Sequence, residues 1–321
     1  MRSLLGAAFG ALLTLPAMAQ DAYPSRPIRF IVPFAAGGPS DIVARTIGPR
    51  MSTMLNNQPI VVESRPGGGG VTGVDVAAKA APDGYTIAIG SAGGLALSPG
   101  LDRPMPYDTL RDLAPLTLAV FVPEPLVVPA SQPFRTLPEL IAAARANPGR
   151  LNYGHTGPGS MPHVAGELFR LTVGIDMVGV SYRGGAPLAT ALLAGEVQLG
   201  LADLPILLPH IRAGSIRALA IGHAQRLPWL PDVPTMAELG FPAVVTDNWH
   251  GLVAPARTPE PILIALHRAA AAALRDPEIG RSLFEQGAIP GGNSREEFAA
   301  FIRTEMTRWA EVIRRANIRA E

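Results

Sequence analysis

The sequence predicts an α/β protein of two domains, each a mainly parallel sheet flanked by helices, and three observations predict it. Short, nearly continuous apolar runs alternate with stretches of helical periodicity; strands buried on both faces have that pattern, and parallel neighbours need a crossover between them. The chain has 321 residues, 48% of them hydrophobic, which is more than one compact core comfortably holds. Its last third turns to longer helical patterns, the kind that pack back on an existing sheet.

Residues 1–19 are an address rather than part of the fold. Arg2 is the positive end, residues 4–15 are apolar, and Ala17-Met18-Ala19 is a small-x-small cleavage site. Cleavage after Ala19 is expected to release an exported, soluble chain, because the apolar run is shorter than the roughly 20 residues that span a bilayer. Residues 28–34 then form a buried strand. A glycine loop follows, and Ser40 opens a helix whose Val43, Ile47, Met51 and Leu55 share one side, with Gly48-Pro49 expected to kink it. A strand at 60–63, a loop at 65–70, a helix to about Ala81 and a strand at 85–89 make the next unit.

The middle of the chain repeats the alternation. A strand at 126–128 precedes a helix opened by a Thr136/Glu139 capping box and closed by Asn147-Pro148-Gly149. A strand at 151–153, a helix after Ser160, a strand at 177–180, a helix after Gly184 and a strand at 197–201 continue it. Further on, Thr258 caps a helix with Pro259 at its first position, and Ser294 with Glu297 forms another capping box. Phe298, Phe301, Met306, Trp309 and Ile313 mark the buried stripe of a long terminal helix. The middle is thus expected as an insert, with lobe 1 at residues 20–124, lobe 2 at 125–224 and a return to lobe 1 at 225–321. The proline-marked connections near 121–125 and 223–228 cross twice, which permits a hinge.

Charge excludes a set of partners. The 27 basic and 26 acidic residues nearly cancel, so nothing gathers phosphate backbones, and nucleic acid is not expected as a partner. The chain has no cysteine, which removes thiolate metal sites, disulfides and thiol nucleophiles. No cofactor is expected.

Four glycine loops follow predicted strands, where open parallel sheets bind ligands. In the first, Phe34, Ala35, Gly37, Gly38, Ser40 and Asp41 precede a helix, so inward amides and the helix's positive end suit a carboxylate or other anion; a turn capped by Ser40 or Asp41 is the competing reading. The second, residues 68–73, satisfies the dinucleotide fingerprint by spacing alone, stands off its strand, lacks the following acidic residue, and is better taken as a flexible turn. The third brings together His155, Thr156, Gly159, Ser160 and His163, with His155 the better pocket candidate and His163 expected to pack on its helix. The two histidines lack the spacing and acidic company of a metal site, and no Gly-x-Ser-x-Gly elbow occurs in the chain. The fourth offers Arg183 to neutralise an acid, Tyr182 as a wall, Gly184 at the helix start, and Asp203 at the next strand end to orient a water or an amine; a solvated Arg183 is the plain alternative. Ser91 closes one more strand.

An ordered set of motifs then resembles one family. Tyr23-Pro24-Ser25-Arg26-Pro27, Val32-Pro33-Phe34 with Gly37-Gly38, Glu63-Ser64-Arg65-Pro66-Gly67, Ala81-Pro82-Asp83-Gly84-Tyr85, Leu151-Asn152-Tyr153-Gly154, His163 before Ala165-Gly166-Glu167, and Asp232-Val233-Pro234-Thr235 occur in the order seen in Bug proteins, the extracytoplasmic solute receptors of tripartite tricarboxylate transporters. The resemblance implies a two-lobed periplasmic-binding-protein fold of type II character. It also implies no catalysis, a small carboxylate ligand in the cleft, and membrane transporter subunits as partners. A ligand carboxylate is expected at the first loop, with loop 154–163, residues 182–184 and Asp203 contributed by the opposite lobe.

The chain departs from the family at three places. His155 replaces a small hydroxyl residue, Pro158 and Pro162 stiffen the third loop, and Asp203-Leu204-Pro205 lacks the asparagine that commonly follows the acid. Di- and tricarboxylates, acidic amino acids and aromatic acids all fit this reading. A monomeric periplasmic receptor is the leading expectation; a ligand sensor for a membrane signalling partner, or a hydrolase or isomerase using the same cleft, are the alternatives.

Overall fold

A computed structural model describes residues 23–102 and 104–319; the expected signal peptide and its cleavage point lie outside the described residues. The elements run β1 (Ile28–Val32), α1 (Pro39–Met54), β2 (Ile60–Ser64), α2 (Val71–Ala78), β3 (Thr86–Ser91), α3 (Thr109–Asp112), β4 (Leu113–Val122), β5 (Pro125–Pro129), α4 (Leu137–Ala146), β6 (Leu151–His155), α5 (Met161–Val173) and β7 (Met177–Ser181). They continue α6 (Gly185–Ala194), β8 (Leu199–Leu201), α7 (Leu204–Arg212), β9 (Ile216–Ile221), β10 (Asn248–Pro255), α8 (Glu260–Leu274), α9 (Pro277–Glu285), β11 (Ile289–Pro290) and α10 (Arg295–Arg315).

These strands build two sheets, ordered β11-β4-β10-β3-β1-β2 and β7-β6-β8-β5-β9. Both are mixed rather than mainly parallel. β1 pairs parallel with β2 and β3, and β6 with β7 and β8. β10 instead runs antiparallel between β3 and β4, and β5 antiparallel between β8 and β9. The reason is topological: β5 and β10 are the strands that receive the chain as it passes from one sheet to the other, and no helical crossover turns it back.

Apolar burial organises the layers. Ile28, Phe30 and Val32 of β1 pack with Ile47 and Met51 of α1 and Leu266 and Ala270 of α8. On the other face, Trp249 and Val253 meet Phe298, Ile302 and Trp309 of α10, which realises the expected stripe. Met161, Val164 and Leu168 of α5 join this same cluster and so tie the second sheet's helix to the first sheet's core. The second sheet has its own core around Leu126, Tyr153, Phe169 and Leu199, and Met236 and Val244 belong to it.

Helix starts separate the sound expectations from the others. Ser160 accepts the His163 amide, and the Ser294/Glu297 capping box is present in full. Thr136 accepts the Glu139 amide, whereas the Glu139 carboxylate returns to Arg135 N rather than to Thr136. Ser40 does not cap α1: Gly38 is the capping residue, and the Ser40 hydroxyl turns to His250. Pro49 is carried inside a helix that runs on to Met54. Thr258 caps nothing, because α8 begins beyond Pro259. After β3 the backbone forms a π-helical turn at Gly93–Leu97, a form that concentrates at functional places.

Candidate functional site

The carboxyl ends of β1, β3, β6 and β8 and the helices that follow them face one another across a small cavity of about 10 Å³. It is lined by Phe34 and Pro39, by Ser91, by Thr156, Ser160, Met161 and Pro162, by Gly185, and by Asp203 with Asn248. Four helix starts therefore contribute: α1 through Pro39, α5 through Met161, α6 through Gly185, and α7 through its capping residue Asp203. Each of these helices has nine residues or more, long enough for aligned peptide dipoles to place partial positive charge at the N-terminus. No lysine, arginine or histidine lines the cavity among the described residues. The Ser91 hydroxyl, 2% exposed, has no hydrogen-bond partner there. Away from the Asp203 carboxylate, which would repel an anion, such a wall suits an anion held by dipoles and hydroxyls rather than by a counter-ion.

The two sides approach closely. Ala35 N donates to the Arg183 carbonyl at 3.2 Å. Gly69, at φ 65°, lies so near Pro158 and Ser160 that a Cβ there would overlap their backbone. The loop at 68–70 is thus a packed wall of the interface, not a flexible turn, and its glycines answer to close backbone approach.

The sequence candidates divide accordingly. Phe34, Ser91, Thr156, Ser160 and Asp203 line the cavity. Asp41 instead completes its own loop, accepting Gly37 N at 2.9 Å and pairing with Arg45, and Gly38 and Gly184 cap helices. His155 is not at the cavity. It is buried behind the third loop, its ring beside Tyr153 and 4.7 Å from that of His163. His155 Nδ1 accepts Gly157 N and His163 Nδ1 accepts Gly159 N, each at 3.2 Å, so both rings shape the loop. Burial, and then the neighbouring His163, lower the His155 pKa to about 4. Tyr182 bonds Glu196 and packs with Leu188 rather than walling the cavity, and Arg183 is exposed, touching the opposite loop only through its carbonyl.

Asn248 and His250 carry no signal in the sequence, because the largely polar run Asp247-Asn248-Trp249-His250 hides the strand β10 that Leu252 and Val253 would otherwise announce. The Asn248 amide donates to Asp203 Oδ1 at 2.7 Å. Ser40 Oγ lies 3.0 Å from His250 Nδ1, and His250 Nε2 faces Asp203 Oδ2 at 3.5 Å. These are the residue types of a hydrolytic triad, but Ser40 is fully buried and does not line the cavity. The arrangement is a tie between the first sheet and the Asp203 loop. Among the described residues no cluster of three or more acidic or histidine side chains is placed to hold a metal ion, and no helix is long and apolar enough to cross a membrane.

Two mixed sheets whose helix starts converge on a shared cleft define a solute receptor. The chain belongs to the tripartite tricarboxylate transporter receptor family, whose model matches residues 43–318. Protein BugT of Bordetella pertussis is 39% identical over 295 residues, covering 92% of this chain and 90% of BugT. The solved periplasmic binding protein BugD superposes with a TM-score of 0.89 at 31% identity, over 93% of this chain and 100% of that one. Rpa4515 of R. palustris with adipate gives 0.88 at 36% identity (92% and 98% covered), and MatC of Rhodopseudomonas palustris with bound malate gives 0.87 at 32% (91% and 100%).

Proposed function

We propose that this protein is a monomeric periplasmic receptor that captures a small carboxylate by closing its two lobes and presents it to the membrane subunits of a tripartite tricarboxylate transporter. The observation that carries this reading is the convergence of four helix N-termini and the unpartnered Ser91 hydroxyl on a cavity without a cationic side chain. The adipate and malate of the two structural neighbours are carboxylates larger than the roughly 10 Å³ free between the lobes here, so the lobes must open to admit such a ligand. Phe34, Ser91, Thr156, Ser160, Gly185, Asp203 and Asn248 form the contact set, with no catalytic step. The lobes meet where three chain segments run side by side: Gly222 N donates to the Glu124 carbonyl and Thr246 N to the Gly222 carbonyl. Residues 23–122 and 248–319 then form one lobe and 125–246 the other, which moves the second crossing from the neighbourhood of residue 224 to that of residue 247.

A thermal-shift screen of residues 20–321 against carboxylic acids, amino acids, sugars and nucleotides tests this, since selective binding to the native state raises apparent stability. Stabilisation confined to one carboxylate class is expected. Stabilisation by sugars or nucleotides alone would reject the reading. Loss of carboxylate uptake in a deletion strain, with induction of other genes unaffected, separates transport from sensing.

A further inference from the structure

Where the chain passes from β4 into β5, Glu124 is fully buried, and neither of its carboxylate oxygens has a hydrogen-bond partner. Leu204 N donates to the Pro123 carbonyl at 2.9 Å and Thr246 N to Gly222, itself bonded to the Glu124 carbonyl, which brings Asp203 at the start of α7 and Asp247 just before β10 beside Glu124, and both are acidic. Neither nearby histidine bonds Glu124, although His250 Nε2 is itself buried without a hydrogen-bond partner. His223 Nδ1, from the segment after β9, lies 2.8 Å from both Asp247 oxygens, and His250 Nε2 on β10 faces Asp203. No lysine or arginine is among the charges that act on Glu124. The Thr246 hydroxyl, also fully buried, is unpartnered as well.

An ionised carboxylate in this position has no donor to offset its desolvation, and it repels a second carboxylate. A protonated acid avoids both penalties and offers an O–H donor toward Asp203, whose Oδ1 already takes the Asn248 amide. Burial, and then the neighbouring Asp203, hold the Glu124 carboxyl well above the usual carboxylate range.

We propose that Glu124 is a positioning residue for the cleft: as the protonated member of a Glu124–Asp203 pair it fixes the Asp203 carboxylate at the cavity wall, and loss of that proton loosens the closed arrangement of the two lobes. Its backbone belongs to the three-segment strip at the crossing, and its side chain acts on a cavity-lining residue that also bonds β10. Charge on Glu124 is therefore felt at the hinge and at the cavity wall together. The usefulness of this coupling to ligand capture rests on the receptor reading above; its test needs no ligand, so the two can fail separately.

The chain has no cysteine, so Thr53→Cys on α1 and Thr190→Cys on α6, both exposed, give a clean pair for spin labels on the mature chain. Pulsed dipolar spectroscopy is expected to show the closed fraction falling several-fold as pH is raised from about 6 to about 9 with Glu124 present. With E124Q, which keeps a neutral donor, the closed fraction stays constant. An identical pH profile in both chains, or none in either, overturns the proposal. Infrared spectroscopy of the unlabelled protein in heavy water reads the proton directly and does not depend on the variant folding: a protonated-carboxyl band at pH 7 that disappears at high pH is expected, and its absence at pH 7 overturns the proposal.

Discussion

The loops at 34–41 and 155–163 face each other across the cavity, and each pairs glycine amides with side-chain acceptors, the first at an exposed Gly37 and the second at buried Gly157 and Gly159, yet they use opposite acceptors. In the first, Gly37 N is met by the Asp41 carboxylate, itself paired with Arg45. In the second, Gly157 N and Gly159 N are met by the ring nitrogens of His155 and His163. The first loop thus carries its own anion at the start of α1, which partly compensates that helix's positive end. The second places imidazoles at the same task, with His155 kept neutral by burial, and leaves the positive end of α5 for a ligand. Under the proposed receptor reading, of two loops alike in glycine content and position, we expect the histidine loop to be the better anion seat.

Gly69→Val breaks the comparison most severely, since the side chain would occupy the space of Pro158 and Ser160 and hold the loops apart. Calorimetric affinity for the carboxylate found in the screen is expected to fall by about a hundredfold or more, with folding retained because the overlap lies between the lobes. Next in size is acid sensitivity of the second loop. The folded His155 pKa of about 4 is below the ordinary imidazole value of 6.5, so the unfolded chain binds the proton first and stability is lost as pH falls through that window. The loss is up to about 3 kcal/mol, at 1.36 kcal/mol per unit, and denaturant unfolding of the His155→Asn variant between about pH 7 and 4 should lack it. Ser91→Ala is expected to weaken binding by about tenfold, a charge-assisted hydrogen bond's worth, while its melting temperature is unchanged or higher because the buried hydroxyl has no other partner. Arg183→Ala should change affinity less than about twofold, because the exposed guanidinium is off the cavity and the interlobe contact is made by the backbone; a larger loss would return Arg183 to the binding set.

What the sequence made legible follows from locality. β1 and β6 declare themselves by apolar runs, and Ser160 and Ser294 by caps whose partners lie three residues away. The cavity residues Phe34, Ser91, Thr156, Ser160 and Asp203 were accessible because each sits where a strand ends and a helix or turn begins. What stayed hidden depends on distant pairing. β10 is held between β3 and β4 by segments more than a hundred residues away, and its polar first residues mask its pattern. Ser40 has the local signature of a cap, but His250, 210 residues on, takes its hydroxyl. His155 has the chemistry of a ligand contact and the direction of a loop support, and direction is set by packing on Tyr153 and His163. Glu124 offers no local signal, since its meaning comes from Asp203 and Asp247.

The central claim is that dipoles and hydroxyls, without a counter-ion, select a carboxylate. Titration calorimetry of the mature chain with the carboxylate identified by the screen, set against the same molecule with each carboxyl in turn replaced by a primary amide, tests it most directly. The account predicts that one replacement abolishes binding, because the amide presents N–H donors to helix starts that are themselves donors. Equal affinity for the acid and every amide would contradict it.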